Sequence, residues 1–506
     1  MTKKFPRDRF FEFFNRRHET LTFDDVSLKP ARSKVVPRDV SLETWLTPEI
    51  PLHIPLVSAD MDTVTETDMA IKLAMEGGLG FLWKHPDVKI QEGWVQRVKY
   101  AFNAMIDKPI TVFDDQTMKD AYSTLAKYGN GFSSLVVLNR AGKVVGLLTR
   151  DRSQFAGESD LVSRFMVENP HTITRAMSVD LAYKYMKKHR VAKLIVVDKD
   201  RGLRGLYTFK DTKQIVEGRT PMFNRDKNGR LRVGANVGVN DFEKAEKLLK
   251  AGCDILLVGT AHGDSENVIN TVREIKRSFR REYDFGLVAG NVATYQGACD
   301  LIKAGADAVK IGIGAGTICT TRVVAGVGVP QLTAIYDCAK AARKYGKTAI
   351  ADGGIRTSGD IVKALVAGAD CVMIGSIFAS TNESPGEVIT DKNGARFKVY
   401  RGMGSLGAMI ENQTAFRYQQ EGAGAEKFVP EGIEGAVPLK GSLSEVVYQL
   451  VGGTKSGFGY VGAKNIQQLA GRAVPIRITS AGIVEGHPHD VIMVKEAPNY
   501  RRKCTD

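Results

Sequence analysis

The sequence predicts an α/β fold, a (β/α)8 barrel with a repeated pair of segments inserted into it, and three observations carry that prediction. From Leu231 to Ser376, short apolar stretches that end in glycine or polar residues alternate with helical ones. Strand followed by helix, repeated, builds a parallel sheet. The strands are apolar throughout rather than at every second position, as burial on both faces demands. Two segments have a different texture: KPITVFDDQTMKDAYSTLAKYGNGFSSLVVLNRAGKVVGLLTRD from Lys108, and NPHTITRAMSVDLAYKYMKKHRVAKLIVVDKDRGLRGLYTFKD from Asn169. Both run from X-Pro through an Ala-Tyr helix, a Val-rich strand and a turn to Gly-Leu-x-Thr, an internal repeat of about 60 residues.

Along the chain, IPLVSADMDTV and MAIKLAMEGGLGFLWKH have strand and helix character and supply the first barrel units. After the repeats, RVGANVGV leads to a helix near Asp241 to Ala251, and DILLVGTAHG to one near Glu266 to Arg280. FGLVAGNVAT precedes a helix near Tyr295 to Ala304, AVKIGIGAG one near Gln331 to Tyr345, and TAIADGGIR one near Ser358 to Ala367, before the strand CVMIGS. The domains that follow are 1–101, the first part of the barrel; 102–218, the repeat pair; and 219–506, the rest of the barrel. From about 400 to 440 the rhythm is lost in a glycine-rich run, and a long irregular loop in a compact domain reads as a mobile flap.

Composition narrows the function. At 506 residues the chain exceeds one ordinary core, which suits two domains. It has no apolar run long enough to span a bilayer, and charges interrupt the aromatic N-terminus too often for a secretory signal, so a cytoplasmic location is expected. The six cysteines form no CxxC pair and the eight histidines no HExxH motif, which argues against a disulfide framework, a zinc site and a metal-dependent hydrolase. The net charge of +14 suits a small phosphorylated ligand, while basic residues spread along the chain give nucleic-acid binding no support.

In a barrel the loops after the strands hold the active site. Gly312, Gly314 and Gly316 follow the strand AVKI, and bare backbone there can approach an ion or phosphate. Cysteine is most often a small buried hydrophobe. Cys319, in this loop at the catalytic end, reads instead as a nucleophile. Asp352 ends the next strand, where a carboxylate can hold a ribose diol, with Gly353 and Gly354 beside it and Gly375 and Ser376 after the strand that follows. Two such loops fit the phosphate of a nucleotide monophosphate. In the flap, Arg417, Tyr418 and Glu431 are acid/base candidates.

LTFDDVSLKP, MDTVTE, GNVAT, GAGTICTTR, DGGIR, MIGS, YRGMGS, PEGIEG and GHPHDVIMVKEAPNY together resemble the family of inosine-5′-monophosphate (IMP) dehydrogenases, with guanosine-5′-monophosphate (GMP) reductases as close relatives. The inserted repeats look like a pair of cystathionine-β-synthase-type (CBS) regulatory modules, which implies a purine nucleotide there. The resemblance implies that Cys319 attacks carbon 2 of IMP, with Thr321 beside it, that hydride passes to NAD, and that Arg417 and Tyr418 activate the water that hydrolyses the adduct. It places Asp352 on the ribose, Thr317, Gly354, Gly375, Ser376 and Tyr400 around the phosphate, and Met403, Gly404 and Glu431 at the base. Thr260, Asn291, Gly312 and Gly314 would bind the dinucleotide. Carbonyls of Gly314, Gly316 and Cys319 would hold a potassium ion with Glu485, Gly486 and His487 of a neighbouring subunit, implying a homotetramer.

Four positions depart from the family pattern. Thr317 replaces the usual serine and keeps its hydroxyl. Gly259 stands where the family carries an aspartate that contacts the nicotinamide ribose, so Gly259→Asp is expected to lower the dinucleotide KM. Asp60 stands where a small residue is usual. Asp151 of the first repeat lies one residue earlier than Asp211 of the second. Two alternatives stay open on the sequence: a GMP reductase using NADPH, and a non-enzymatic nucleotide sensor on the same fold.

Overall fold

The computed structural model describes residues 5–101, 105–106, 109–128, 134–217, 222–420, 424–492, 494 and 497–500. The chain forms two compact units, Met1–Gln91 with Val233–Asp506, and Glu92–Arg232. The domain limits read from the sequence at 102 and 218, and Cys504, lie outside the described residues. Among the described residues no helix is long and apolar enough to cross a membrane.

The first unit is a closed barrel of eight strands: β1 Leu56–Ser58, β2 Leu79–Leu82, β3 Gly234–Asn236, β4 Ile255–Gly259, β5 Gly286–Val292, β6 Ala308–Ile311, β7 Thr348–Asp352 and β8 Cys371–Ile374. Each pairs in parallel with its neighbours in chain order, and β8 returns to β1. Every residue of the eight is buried except Asp352, at the C-terminal end of β7. That pattern is why the strands read as unbroken apolar runs.

The outer helices Phe242–Lys250, Glu266–Phe279, Tyr295–Ala304, Gln331–Lys344 and Ser358–Ala367 fall within a residue of the ranges the sequence predicts. Side-chain caps set three of their starts: Asp241, Thr294 and Thr357 accept from the backbone N–H groups of Lys244, Gly297 and Asp360. At the N-terminus, Phe11 of the helix Pro6–Asn15 stacks on Tyr336 with ring centroids 4.6 Å apart.

The second unit repeats one pattern twice. Thr111–Phe113 pairs in parallel with Ser134–Leu138, which pairs antiparallel with Val144–Thr149. Thr172–Ile173, Lys193–Val197 and Leu203–Thr208 pair the same way, and both copies shift register at the last residue of the middle strand. The helices Met118–Tyr128 and Val179–His189 occupy matching positions.

Among the described residues, the span 400–440 holds regular elements as well as loops. Arg396–Arg401 is the central strand of an antiparallel sheet with Val388–Thr390 and Glu434–Pro438, and between them lie the helix Leu406–Glu411 and a 3-10 turn at Thr414–Tyr418. The strand Glu434–Pro438 is exposed at nearly every position, so it carries no burial alternation from which to read it.

At the N-terminal end of the barrel, burial pushes the Asp370 carboxyl up to about 6, against the lowering effects of the Ala349 N–H bond and of Arg343 and Arg7. An acid whose folded value lies above its unfolded one, about 3.9, costs no stability below the unfolded value. The cost then grows until the pH passes the folded value. Asp370→Asn removes that dependence, so its melting temperature relative to wild type should rise between about pH 4 and about pH 7. A difference that stays flat or falls counts against the assignment.

Candidate active site

The C-terminal ends of the strands open into a pocket of about 1000 Å³, counting its mouth, which is room for a nucleotide. Residues at or just after the C-terminal ends of β1, β4, β5, β6, β7 and β8 line it, together with Tyr400, Met403, Arg417, Tyr418 and Glu431 of the 400–440 segment.

The loop after β6 is built around its glycines. Gly312 has φ +138°, and a Cβ there would lie 2.2 Å from the Asp352 carbonyl oxygen, so only glycine lets the chain after β6 approach the end of β7 this closely. Gln331 braces the same point, its Nε2 donating to the carbonyls of Ile311 (3.0 Å) and Asp352 (2.9 Å). Beyond it Cys319 is partly exposed, while Cys253, Cys299, Cys338 and Cys371 are buried. Its Sγ lies 3.2 Å from the Thr321 hydroxyl.

The flap docks on this loop. Thr320 N–H donates to the Glu431 carbonyl at 2.9 Å, and Ile433 N–H to that of Ile318 at 3.0 Å, so a short antiparallel bridge pairs Cys319 with Gly432. Gly404 lies behind Tyr418, where a Cβ would come within 2.5 Å of the phenol ring. Burial pushes the Tyr418 phenol well above the usual tyrosine range, reinforced by Cys319, and burial does the same at Tyr400, helped by Asp352. Arg417, expected on a mobile loop, is 9% exposed and anchored.

On the phosphate side, Thr317 Oγ1 lies 3.5 Å from Ser376 Oγ. Gly353 and Gly354 have φ +97° and +79°, backbone that favours glycine and leaves this side of the pocket without side chains. Gly375 admits the Tyr400 hydroxyl, which would lie 2.8 Å from a Cβ there. Of the site residues named from sequence, Gly404 backs the pocket rather than lining it, and Glu485, Gly486 and His487 are exposed at the end of the helix Ser480–Glu485. Both amide hydrogens of Asn291 are spent, on the Gly312 carbonyl (2.7 Å) and on Asp352 (2.9 Å), which makes it a brace between loops.

Sequence reasoning singled out Asp60 but missed its partners Lys310 and Asn236. Lys310, 3% exposed in β6, donates to Asp352 at 2.5 Å and stands 3.8 Å from Asp60. Asp60, 2% exposed, accepts from Asn236 Nδ2 at 2.6 Å and from Arg417 Nη2. Burial pushes the Asp60 carboxyl up, but Arg417, Lys310 and the Asn236 amide outweigh it and hold it below the usual carboxylate range. A lysine inside AVKI, a strand buried on both faces, was the available signal, because a charge there requires a counter-charge.

A family model described as IMP dehydrogenase / GMP reductase domain matches residues 20–489. This chain belongs to that family. It is 50% identical over 488 residues to the inosine-5′-monophosphate dehydrogenase of Aquifex aeolicus, covering 95% of this chain and 98% of that one. It is 47% identical over 486 residues to the enzyme of the same name from Bacillus subtilis, with the same coverage. Among solved structures, a cysteine-to-alanine GMP reductase of Trypanosoma brucei in complex with guanosine 5′-monophosphate is similar, at a TM-score of 0.83 and 37% identity over 95% of this chain and all of that one.

Within the family frame, position 259 has a local explanation. A Cβ on Gly259 would lie 2.6 Å from Asn236 Nδ2 and 3.2 Å from the Asp60 carboxylate. The single substitution Gly259→Asp therefore crowds a packed amide and sets two carboxylates together. It should lower stability by about 1–3 kcal/mol in denaturant unfolding. An unchanged midpoint would mean that the site has room the geometry denies.

Proposed function

We propose that this protein oxidises IMP to xanthosine monophosphate with NAD⁺. The observation that carries the reading is the partly exposed Cys319, hydrogen-bonded to Thr321 and covered by a docked Arg417–Tyr418 turn, in a chain about half identical to curated dehydrogenases. Thr317, Gly354, Gly375, Ser376 and Tyr400 hold the phosphate and Asp352 the ribose, while Met403, Gly404 and Glu431 frame the base. Cys319 loses its thiol proton and its sulfur bonds to carbon 2 of the purine. The dinucleotide supplies the acceptor for the hydride that leaves that carbon. Water then adds its hydroxyl to carbon 2, the carbon–sulfur bond breaks, and the thiol regains a proton.

Arg417 and Tyr418 serve this second step. A guanidinium ion-paired to a carboxylate is a weak base, and a buried phenol keeps its proton at neutral pH, so in the docked state the pair orients water through its N–H and O–H groups. Thr260 and the glycines 312 and 314 line the same pocket as Cys319 and are assigned to the dinucleotide. Gly316 leaves that loop open: a Cβ added there would meet only the Cys319 Cβ, at 3.6 Å.

A potassium ion held by the carbonyls of Gly314, Gly316 and Cys319, with Glu485, Gly486 and His487 from a second copy in a homotetramer, belongs to the same proposal. The three donors of the loop are carbonyl oxygens, the ligand type a hard cation takes. The Gly316 carbonyl already accepts the Cys319 N–H at 3.2 Å, and His487 Nδ1 lies 3.1 Å from the Tyr500 hydroxyl. We also assign a purine nucleotide to the CBS-type pair, with Asp211, its carboxyl pushed up by burial, as the ribose partner.

The test is ultraviolet absorbance on mixing protein with IMP, NAD⁺ and potassium, followed by product separation. Reduced dinucleotide with xanthosine monophosphate is expected. Consumption of NADPH with GMP, and none of the first reaction, would make the protein a reductase. Silence in both would favour the sensor. Cys319→Ala should abolish turnover while leaving IMP affinity within a few-fold by calorimetry. Turnover that survives in this variant would defeat the covalent mechanism.

A further inference from the structure

Asp60 and Asp62 follow β1 two residues apart, and both grip the flap. Asp62 accepts from Arg401 Nε at 2.8 Å and from Asn412 Nδ2 at 2.6 Å. Arg417 Nη2 donates twice to Asp60, to its backbone carbonyl at 2.8 Å and to its carboxylate. The catalytic arginine candidate is thus held by both ends of one buried residue. Its Nε makes no such contact: among the described residues it is buried without a hydrogen-bond partner, on a side chain that lines the pocket. Nη2 thus carries the anchoring contacts of the group.

The place Asp60 fills depends on Gly259. Its carboxylate lies 3.2 Å from where a Cβ at 259 would be, and Asn236 reaches that same carboxylate across the point that such a Cβ would crowd. The two positions are complementary, an acid at one and no side chain at the other. A carboxylate carried on either would reach the same spot in the barrel's interior.

We propose that Asp60 is a positioning residue for the hydrolytic half of the reaction, its carboxylate holding Arg417 in the pocket from the place that a side chain at 259 would otherwise occupy. The inference rests on the dehydrogenase reading above. It separates two steps that share Cys319. Bond formation to the purine and hydride loss need the cysteine loop, whereas addition of water needs the flap arginine in register.

The test compares Asp60→Ala, Asp60→Asn and the exchange Asp60→Ala/Gly259→Asp with wild type. With IMP and NAD⁺, Asp60→Ala and Asp60→Asn should lose roughly 10²-fold in steady-state turnover. They should still form about one equivalent of reduced dinucleotide per site in the first turnover. Intact-mass measurement on the quenched protein should then find the adduct, protein plus IMP less two hydrogens. The exchange variant should recover at least tenfold of the loss and stop accumulating adduct. Trypsin cleavage after Arg417 in nucleotide-free protein reads the same docking without chemistry: faster than wild type in Asp60→Ala at matched melting temperature, and slowed again in the exchange.

An exchange variant no better than Asp60→Ala overturns the proposal, as does an Asp60→Asn variant that loses the first hydride transfer along with turnover. If Asp60→Ala folds poorly, Asp60→Asn and the exchange carry the same comparison. A wild type that reduces no dinucleotide with IMP overturns the functional reading and this role together. An active wild type with a failed exchange overturns this role alone.

Discussion

The site depends on a row of alternating charges laid across the mouth of the barrel: Arg417, Asp60, Lys310 and Asp352. Arg417, Asp60 and Lys310 are buried and Asp352 is partly exposed, and an unpaired ion at a buried point would carry a penalty of several kcal/mol. The row is neutral as a set, two cations alternating with two carboxylates. Lys310 is the fixed member, because β6 is locked between β5 and β7. Its ammonium draws Asp352 from one side and Asp60 from the other, and Asp60 in turn draws the flap. An ordered 3-10 turn in a segment that sequence reads as irregular thus has an electrostatic cause inside the barrel.

This explains which parts of the molecule were legible in the sequence. The eight strands were, because burial on both faces leaves apolar runs that glycine and polar residues punctuate, and AVKI or CVMI can hardly be read otherwise. The helix starts were, because Asp241, Thr294 and Thr357 are capping residues at the points where the apolar period begins. Cys319, Asp352 and the glycines were legible from their places after strands. The strand Glu434–Pro438 was not, since its pairing with Arg396–Arg401 is made by backbone and leaves no trace in an exposed side-chain pattern.

Lys310 and Asn236 escaped for a different reason. Each sits in a strand whose other residues are apolar, and a local reading treats a lone polar residue there as noise. Its meaning is set by partners far away in the chain: Asn236 meets Asp60 across 176 residues, and Lys310 meets Asp352 across 42. Periodicity reports which face is buried, and does not report what a buried polar atom touches. The departures at 60 and 259 were visible singly, but their relation to each other was not.

That relation follows from closing a sheet into a ring. β1 and β4 are not neighbours, yet their C-terminal ends both turn into the interior, where Asp60 and the empty side of Gly259 come within 3.2 Å. In an open sheet the ends of strands so placed would stand apart, and an acid lost from one could not be replaced from the other. In a closed barrel the inward positions share one small volume, so a carboxylate is defined by where its oxygens lie and not by which strand carries it. A family pattern written position by position records such an exchange as two unrelated departures. In space the two positions adjoin, since a Cβ at 259 would stand 3.2 Å from the Asp60 carboxylate and 2.6 Å from the amide that this carboxylate accepts from.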